Sequence, residues 1–404
     1  MSSPGAAGTW TPWRTVVAFG VVSLAADMVY EGMRSVTGPF LVSLGASALV
    51  VGLVTGAGEG VALLLRLAVG PAADRSGRHW RYATAGYGLT AVSVPLLALT
   101  PFLGAAGLAV ACALVLAERT GKAVRSPSKS ALLAGIAKDV GRGRGFAVHK
   151  ALDQVGAFAG PLLVAGVALV AGHRLWAGLA LLAVPGAVSM ALLTRLRRRA
   201  PIEGRPPSRR ADRSPTARLP RRFWVLAAGA ALSTVGLMTF GVLSVVVVRG
   251  GVLSAAVVPV AYAGAMVVEA VAALGAGWAY DRVGAAVLLG VPVIVAGVPV
   301  LLLGAALPLT LATVGVGLAS WGAATGLQDS VVKAFVADVA PSDRLGAAYG
   351  WFAAVQGTAA FVGGGVAGAL LGHRGVLVVV LVTAQVAALV VFAVAVLDPS
   401  RRDS

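Results

Sequence analysis

The chain has 404 residues, of which 58% are hydrophobic and 12% are charged, and its mean hydropathy is +0.88. This composition excludes the soluble globular and disordered classes, and the single Cys112 excludes a disulfide within the chain. The net charge of +17 lies mainly in turns between apolar segments, a distribution that favours a membrane protein over a nucleic-acid-binding protein.

Twelve apolar segments are long enough to cross a bilayer, whose core of about 30 Å needs roughly 20 helical residues. In chain order they are 13–36, 49–72, 82–99, 105–125, 146–170, 175–193, 223–248, 255–280, 285–307, 309–333, 347–371 and 376–397. We therefore predict an all-α integral membrane protein with twelve transmembrane helices in two pseudo-symmetric six-helix bundles.

A basic, proline-containing segment divides the chain in the middle. Residues 195–222 hold eleven arginines and five prolines without an apolar run, which is typical of a linker. We predict an N-terminal bundle at 1–194, a cytoplasmic linker at 195–221 and a C-terminal bundle at 222–404. Because lysine and arginine concentrate on the linker's side, both termini are expected to be cytoplasmic, with the protein spanning the cell inner (plasma) membrane several times.

A charged turn follows the second segment and recurs 207 positions later. Residues 70–81 read GPAADRSGRHWR, and residues 277–284 read GWAYDRVG, so that glycine, aspartate and glycine recur in the same order. Parallel repeats of six spans are typical of one class of transporter, with the substrate site near the membrane midplane.

Ionisable residues occur in six of the predicted spans. They are Asp27, Glu31 and Arg34; Glu59 and Arg66; Glu118, Arg119, Lys122 and Arg125; His149, Lys150 and Asp153; Glu269; and Asp329 and Lys333. A charge in hydrocarbon costs at least ~2.5–3.5 kcal/mol, so these spans must face a wet cavity or a partner. The third, sixth, ninth and twelfth spans carry none and are predicted to face lipid.

Helical spacing groups these side chains. Asp27, Glu31 and Arg34 share one helix face, and Glu59 shares a face with Arg66. A carboxyl group in mid-membrane can take up and release a proton, which makes Asp27, Glu31 and Glu59 candidates for proton coupling.

The candidates for the substrate cavity are Arg34, Glu118, Lys122, Asp153, Glu269, Gln328, Asp329 and Gln356. Trp321, Tyr262 and Met238 are further candidates for an aromatic lining. Alternatively, the charges only neutralise each other and keep the helices in register.

The motif Gly70-x-x-x-Asp74-Arg75-x-Gly77-Arg78 resembles the cytoplasmic loop signature of the major facilitator superfamily, between its second and third helices. The weaker copy at Asp281 and Arg282 stands where that family has one. The resemblance implies a cavity lined by helices 1, 4, 7 and 10, and a loop that latches the two halves. Asp74 would then pair near the start of the eleventh helix, while the glycines permit the turn. The gating candidates are Gly70, Asp74, Arg75, Gly77, Arg78, Asp281 and Arg282.

Two departures separate the chain from the family's drug:proton antiporters. Their fifth helix ends in Gly-Pro-x-x-Gly-Gly, whereas Gly160-Pro161 is followed here by Val164 and Ala165. Their fourth helix carries Arg-x-x-Gln-Gly, of which only Arg119 matches. The resemblance to small-molecule:proton antiporters makes Arg119 a candidate for tuning a nearby acid during proton coupling.

The combined reading is a secondary active transporter, not an enzyme, that exports small amphipathic organic molecules in exchange for protons. No phosphate-binding P-loop is present, and the four histidines have no metal-ligand spacing, so we expect no cofactor beyond the proton gradient. The expected partners are a small-molecule substrate and the lipid bilayer, without nucleic acid, and the expected state is a monomer.

One alternative is uptake of an anionic metabolite or chelate, since the first half is cationic. Another is a lipid-handling or sensor protein that does not transport and tolerates loss of Asp27 and Glu59.

Overall fold

The computed structural model describes residues 10–138, 140–199, 219–341 and 344–397, and these residues form helices and connecting turns without a β-strand. Most of the predicted linker, residues 200–218, lies outside the described residues. The helices before it are α1 (Pro12–Ser43), α2 (Ala48–Ser76), α3 (His79–Leu96), α4 (Gly107–Ile136), α5 (Arg142–Val170), α6 (Leu175–Leu181) and α7 (Ala183–Arg199). Those after it are α8 (Arg221–Leu237), α9 (Phe240–Arg249), α10 (Val258–Val283), α11 (Gly290–Leu302), α12 (Leu311–Leu327), α13 (Lys333–Val339), α14 (Leu345–Leu370) and α15 (Arg374–Leu397).

Ten helical stretches within the described ranges are long and apolar enough to cross a membrane. One of them, Val258–Leu302, has 45 residues and covers most of the eighth and ninth predicted spans. The tenth predicted span is divided by a π-helical turn at Gln328–Val332 between α12 and α13. The multi-pass all-helical fold is confirmed, and the number of twelve crossings stays a prediction.

The contacts divide the chain into two compact units. Unit 1 consists of Met1–Met33 and Leu65–Arg213, and unit 2 consists of Arg34–Leu64 and Ser214–Ser404. α1 and α2 therefore contribute to both units. These units follow contacts, whereas the predicted domains follow the order of spans, so the limits 1–194 and 222–404 stay a prediction.

Small residues bring the helices of unit 1 together. A Cβ atom on Gly156 or Gly160 of α5 would overlap the carbonyl oxygen of Leu24 or Met28 on α1. The backbones can approach this closely only because both positions are glycine. The close approach places the polar face of α5 next to α1.

Glycines also allow close backbone contact between two pairs of helices in unit 2. A Cβ on Gly52 of α2 would overlap the carbonyl oxygen of Gly364 on α14, and Gly322 of α12 stands equally close to Ala265 on α10. An apolar core with Phe335 and Phe392 stabilises the opposite end of this unit.

The repeated motif is a helix end followed by a sharp turn, and its two copies share one backbone feature. Gly77 has φ 62° and Gly284 has φ 61°, and they stand at equivalent positions of the repeat. Gly70, expected to help form the turn, lies within α2, which continues through Asp74 and Arg75 to Ser76. A single residue in the left-handed region suffices to end the helix. Of the two glycines, only Gly77 therefore has the expected role of permitting the turn.

Candidate functional site

Arg125 of α4 lies between two carboxylates in unit 1. Its Nη2 atom is 3.5 Å from Oδ1 of Asp27 on α1, and its Nη1 atom is 3.9 Å from Oε1 of Glu118. Glu118 is completely buried, and Arg125 is 4% exposed. Two acids on neighbouring helices therefore share one guanidinium.

The hydroxyl of Thr90 on α3 connects Arg125 to Glu118. It accepts a hydrogen bond from Nη1 of Arg125 and donates one of 3.2 Å to Oε1 of Glu118. A threonine hydroxyl has one donor and two acceptor positions, so it can serve both partners at once. Thr90 thus orients the guanidinium and the carboxylate relative to each other.

Tyr30 on α1 is the centre of a group of cations. Its hydroxyl accepts a hydrogen bond from Nη1 of Arg119, and the Lys122 ammonium lies 3.6 Å from the centroid of its ring. The Cζ atoms of Arg119 and Arg125 lie 4.6 and 6.0 Å from the same centroid. Nε of Arg119 is 3.7 Å from Oε2 of Glu118. The electron-rich ring face therefore helps to stabilise three positive charges.

A second polar group involves α5. Nζ of Lys129 is 3.0 Å from Oδ2 of Asp153 and donates to Oγ of Ser23 at 3.2 Å. Nε2 of His149 is 3.5 Å from Oδ1 of Asp153 and 3.3 Å from the same serine hydroxyl. The hydroxyl of Tyr87 is 3.0 Å from Ser23, and its ring centroid is 5.1 Å from Cζ of Arg125, so Tyr87 connects the two groups.

The mutual pairing of these groups offsets much of the cost of burying charge. This agrees with the alternative that the charges only neutralise each other and keep the helices in register. Within the described residues, however, Oε2 of Glu118 and Oδ1 of Asp153 are buried and accept no hydrogen bond. Each lies at ion-pair distance from a basic nitrogen. These two oxygens therefore interact with the basic groups through charge alone.

Unit 2 contains a separate charged site around Arg34. Nη2 of Arg34 is 3.2 Å from Oε1 of Glu59 on α2, and Nη1 donates to the Tyr262 hydroxyl at 3.2 Å. The guanidinium carbon lies 6.0 Å from the ring centroid of Tyr262 and 5.9 Å from that of Trp321. The acid Glu59 and two aromatic rings are thus among the groups that contact this cation.

The helix of the seventh predicted span is interrupted beside these rings. α8 ends at Leu237, Met238 has φ 60°, and α9 starts at Phe240. The indole nitrogen of Trp321 donates to the carbonyl oxygen of Met238 at 3.1 Å. Phe240 packs 4.5 Å from Tyr262 between ring centroids. The predicted aromatic lining thus forms one cluster.

Gln328 and Gln356 of the predicted cavity set form hydrogen bonds within unit 2. Gln328 donates to the Ser233 hydroxyl at 3.0 Å, and Gln356 accepts a hydrogen bond from Thr234. Of the predicted acids, Glu31 lies on α1 between Asp27 and Arg34, Glu269 is half-buried on α10, and Asp329 is exposed in the π-helical turn. The structure therefore divides the predicted set among several locations.

The gating candidates lie at helix ends. Asp74 has a side chain that is 71% exposed, with Oδ1 3.8 Å from Nε2 of His79. Asp281 and Arg282 lie in the last turn of α10, where Cζ of Arg282 stands 3.3 Å from the ring centroid of Trp278. The latch between Asp74 and the eleventh helix stays a prediction.

Sequence reasoning missed the uncharged members of the site. Ser23 and Tyr30 lie four residues before and three residues after Asp27, so they share its helix face. Applying the same spacing to hydroxyl-bearing residues identifies both. His149 and Asp153 stand one helical turn apart in the same predicted span, but Ser23, the other partner of His149, lies on α1, far away in the sequence. No group of three or more His, Cys, Asp or Glu side chains in the described ranges has the geometry of a metal site.

Comparison with known proteins identifies the family. The model of the Major Facilitator Superfamily matches residues 15–320. Uncharacterized proteins of Mycobacterium tuberculosis and Mycobacterium bovis are 48% identical over 389 residues, which cover 94% of this chain and 92% of each relative. An uncharacterized MFS-type transporter of Methanocaldococcus jannaschii is 27% identical over 152 residues, or 37% of this chain and 36% of that protein.

Solved structures agree in fold. A variant of the nucleoside transporter NupG has a TM-score of 0.77 at 13% identity, covering 94% of this chain and 99% of that one. A POT family transporter in complex with 5-aminolevulinic acid has a TM-score of 0.74 at 12% identity, covering 97% of both chains. At these identities the similarity concerns the fold alone. The chain is a multi-pass membrane transporter that belongs to the major facilitator superfamily.

Proposed function

We propose that this protein exports small amphipathic organic molecules in exchange for protons, by alternating access. The observation that carries the proposal is the sharing of Arg125 by Asp27 and Glu118. Both acids lie in membrane helices, where ionisable residues are expensive and mark ion and substrate pathways.

The shared guanidinium offers a means of coupling. Protonation of Asp27 removes the charge that attracts Arg125 towards α1, so that Arg125 interacts more strongly with Glu118. Loss of the proton reverses this change. A proton therefore changes the contact between α1, which carries Asp27, and α4, which carries Arg125 and Glu118.

Arg119 is suited to assist the same exchange. It lies 3.7 Å from Glu118 and donates to Tyr30, so its charge stays next to the acid in either protonation state. An arginine guanidinium keeps its charge in proteins, so Arg119 can act on the neighbouring acid without exchanging a proton itself. This supports Arg119 as a tuning group that does not itself carry the proton.

An amphipathic substrate is supported by unit 2, where Tyr262, Trp321 and Phe240 cluster near Glu59 and Arg34. Ligand sites commonly combine an apolar lining with a few polar groups.

The proposed energy source is the proton gradient, without a cofactor, and the proposed state is a monomer. We place the protein in the inner (plasma) membrane with both termini in the cytoplasm, on the basis of its arginine distribution.

Everted membrane vesicles with an imposed pH gradient test the proposal on a panel of amphipathic compounds. Asp27→Asn and Glu59→Gln are expected to abolish proton-driven movement but to leave substrate exchange. Asp338→Asn is the matched control, since Asp338 is an exposed carboxylate that accepts a hydrogen bond from Tyr280. Unchanged pH-dependent flux in both test variants would remove them as coupling residues. Binding without any flux would favour the sensor alternative.

A further inference from the structure

The environment of Arg34 is that of a bound cation. A carboxylate oxygen of Glu59 and the hydroxyl of Tyr262 each lie 3.2 Å from its guanidinium nitrogens. The rings of Tyr262 and Trp321 stand about equally far from the guanidinium carbon, at 6.0 and 5.9 Å. One anion combined with aromatic faces is the arrangement by which proteins recognise organic cations.

We propose that Glu59, Tyr262 and Trp321 form a binding site for an organic cation, and that Arg34 is its built-in occupant, which the substrate replaces. We name these three residues the cation box. The inference rests on the proposed export function and narrows its amphipathic substrate to a cation with an aromatic or apolar group. The guanidinium and ammonium classes fit the polar contacts that Arg34 makes.

The walls of the cation box are held in place independently of the occupant. Trp321 is 2% exposed, and its indole nitrogen donates to the carbonyl oxygen of Met238. Met238 has φ 60°, a strained conformation for a residue with a side chain, and such strain is concentrated at ligand clamps and switch regions. Phe240 packs against both Tyr262 and Trp321. Fixed walls reduce the entropy lost when a ligand binds.

The occupant can be replaced. The side chains of Arg34 and Glu59 are 20% and 28% exposed, whereas Tyr262 is fully buried. The ion pair is therefore open to an incoming ligand, and the ring faces are covered until the Arg34 guanidinium leaves them. A ligand that pairs with Glu59 and takes the place of the guanidinium beside the rings makes the contacts that Arg34 gives up, so it can compete with this side chain.

The charge of unit 2 also favours a cation. Its predicted spans carry three acids, Glu59, Glu269 and Asp329, against the two cations Arg34 and Lys333. Helix α4 of unit 1 instead carries four cations, Arg119, Lys122, Arg125 and Lys129, against the single acid Glu118. A positive ligand is thus expected to prefer the box in unit 2.

Calorimetric titration of the purified full-length protein with benzylguanidinium at constant pH tests this inference. Removing the occupant in Arg34→Ala is expected to raise the affinity roughly tenfold, because the ligand no longer competes with a tethered cation. Glu59→Gln is expected to weaken binding roughly tenfold, because the amide keeps a polar contact but the box loses its anion, so exchange persists at higher substrate concentration. Arg249→Ala, which removes an exposed arginine at the end of α9, is the matched control and is expected to bind like the unmodified protein.

Titration with benzoate tests a ligand of the opposite charge. An anion that uses Arg34 as its ligand binds the unmodified protein and loses affinity in Arg34→Ala, and this result would overturn the inference. Unchanged or weaker benzylguanidinium binding in Arg34→Ala would overturn it as well. If Arg34→Ala does not fold, Arg34→Lys is measured instead, because lysine keeps the charge but loses the planar guanidinium contacts. The inference then predicts a smaller rise in affinity for benzylguanidinium, and no rise would overturn it. The titration needs no membrane or gradient, so its outcome is independent of whether proton-driven flux is found.

Discussion

Arg119 of α4 donates a hydrogen bond to the hydroxyl of Tyr30 on α1, and both residues are at most 5% exposed. The same ring lies 3.6 Å from the ammonium of Lys122. Tyr30 therefore interacts with these two cations in different ways, through its oxygen and through its ring face. The two interactions can be separated by substitution.

Tyr30→Phe removes the oxygen and keeps the ring. We expect it to lower the free energy of unfolding by about 1–3 kcal/mol, because Arg119 loses a buried acceptor. Thermal unfolding of the purified protein measures the change, with Tyr82→Phe, outside the cluster, as the control. Equal unfolding temperatures for the two variants would mean that the hydrogen bond does not stabilise the fold.

The two copies of the repeated turn are expected to respond alike to substitution. Gly77→Ala and Gly284→Ala place a side chain at positive φ, which costs about 1–2 kcal/mol. Gly70→Ala is the control, since Gly70 lies within α2 and an added Cβ would meet only Pro127, at 3.8 Å. Thermal unfolding should show a loss at Gly77 and Gly284 and none at Gly70. A loss at Gly70 as large as that at Gly77 would contradict the helical assignment of the motif.

Local periodicity was sufficient to predict part of this structure. The spacing of Asp27, Glu31 and Arg34 predicted a shared helix face, and α1 is continuous across all three. Apolar length predicted membrane helices, since the thickness of the bilayer sets that length. Both properties depend on residues that are close in sequence.

Properties that depend on tertiary packing could not be predicted in this way. The pairing of Arg125 with Asp27 and Thr90 requires knowing which helices meet, and no spacing within α4 contains that information. The helix interruption falls on a methionine, Met238, rather than on a proline or a glycine, and its strained backbone is accompanied by a contact with distant Trp321. Neutral residues such as Thr90 resemble ordinary packing residues until their partners are known.

The close approach of α2 and α14 in unit 2 predicts sensitivity to a single methyl group. Gly52→Ala is expected to destabilise the protein by about 1–3 kcal/mol, because its Cβ would overlap the backbone of Gly364. Gly275→Ala on α10 is the control, since an added Cβ there meets open space. Retained unfolding temperature in Gly52→Ala, measured beside Gly275→Ala, would show that these helices can separate without loss of stability.

Asp74→Asn tests the gating role implied by the signature motif. The side chain of Asp74 is 71% exposed, so the substitution is expected to leave membrane insertion and thermal stability unchanged. Transport is expected to fall, because a neutral amide interacts less favourably than a carboxylate with the positive end of a helix. Asp281→Asn, in the copy that lacks most of the flanking arginines, is expected to have a smaller effect. Flux in proteoliposomes, normalised to the amount of inserted protein, measures both variants, and normal flux in Asp74→Asn would exclude a latch at this carboxylate.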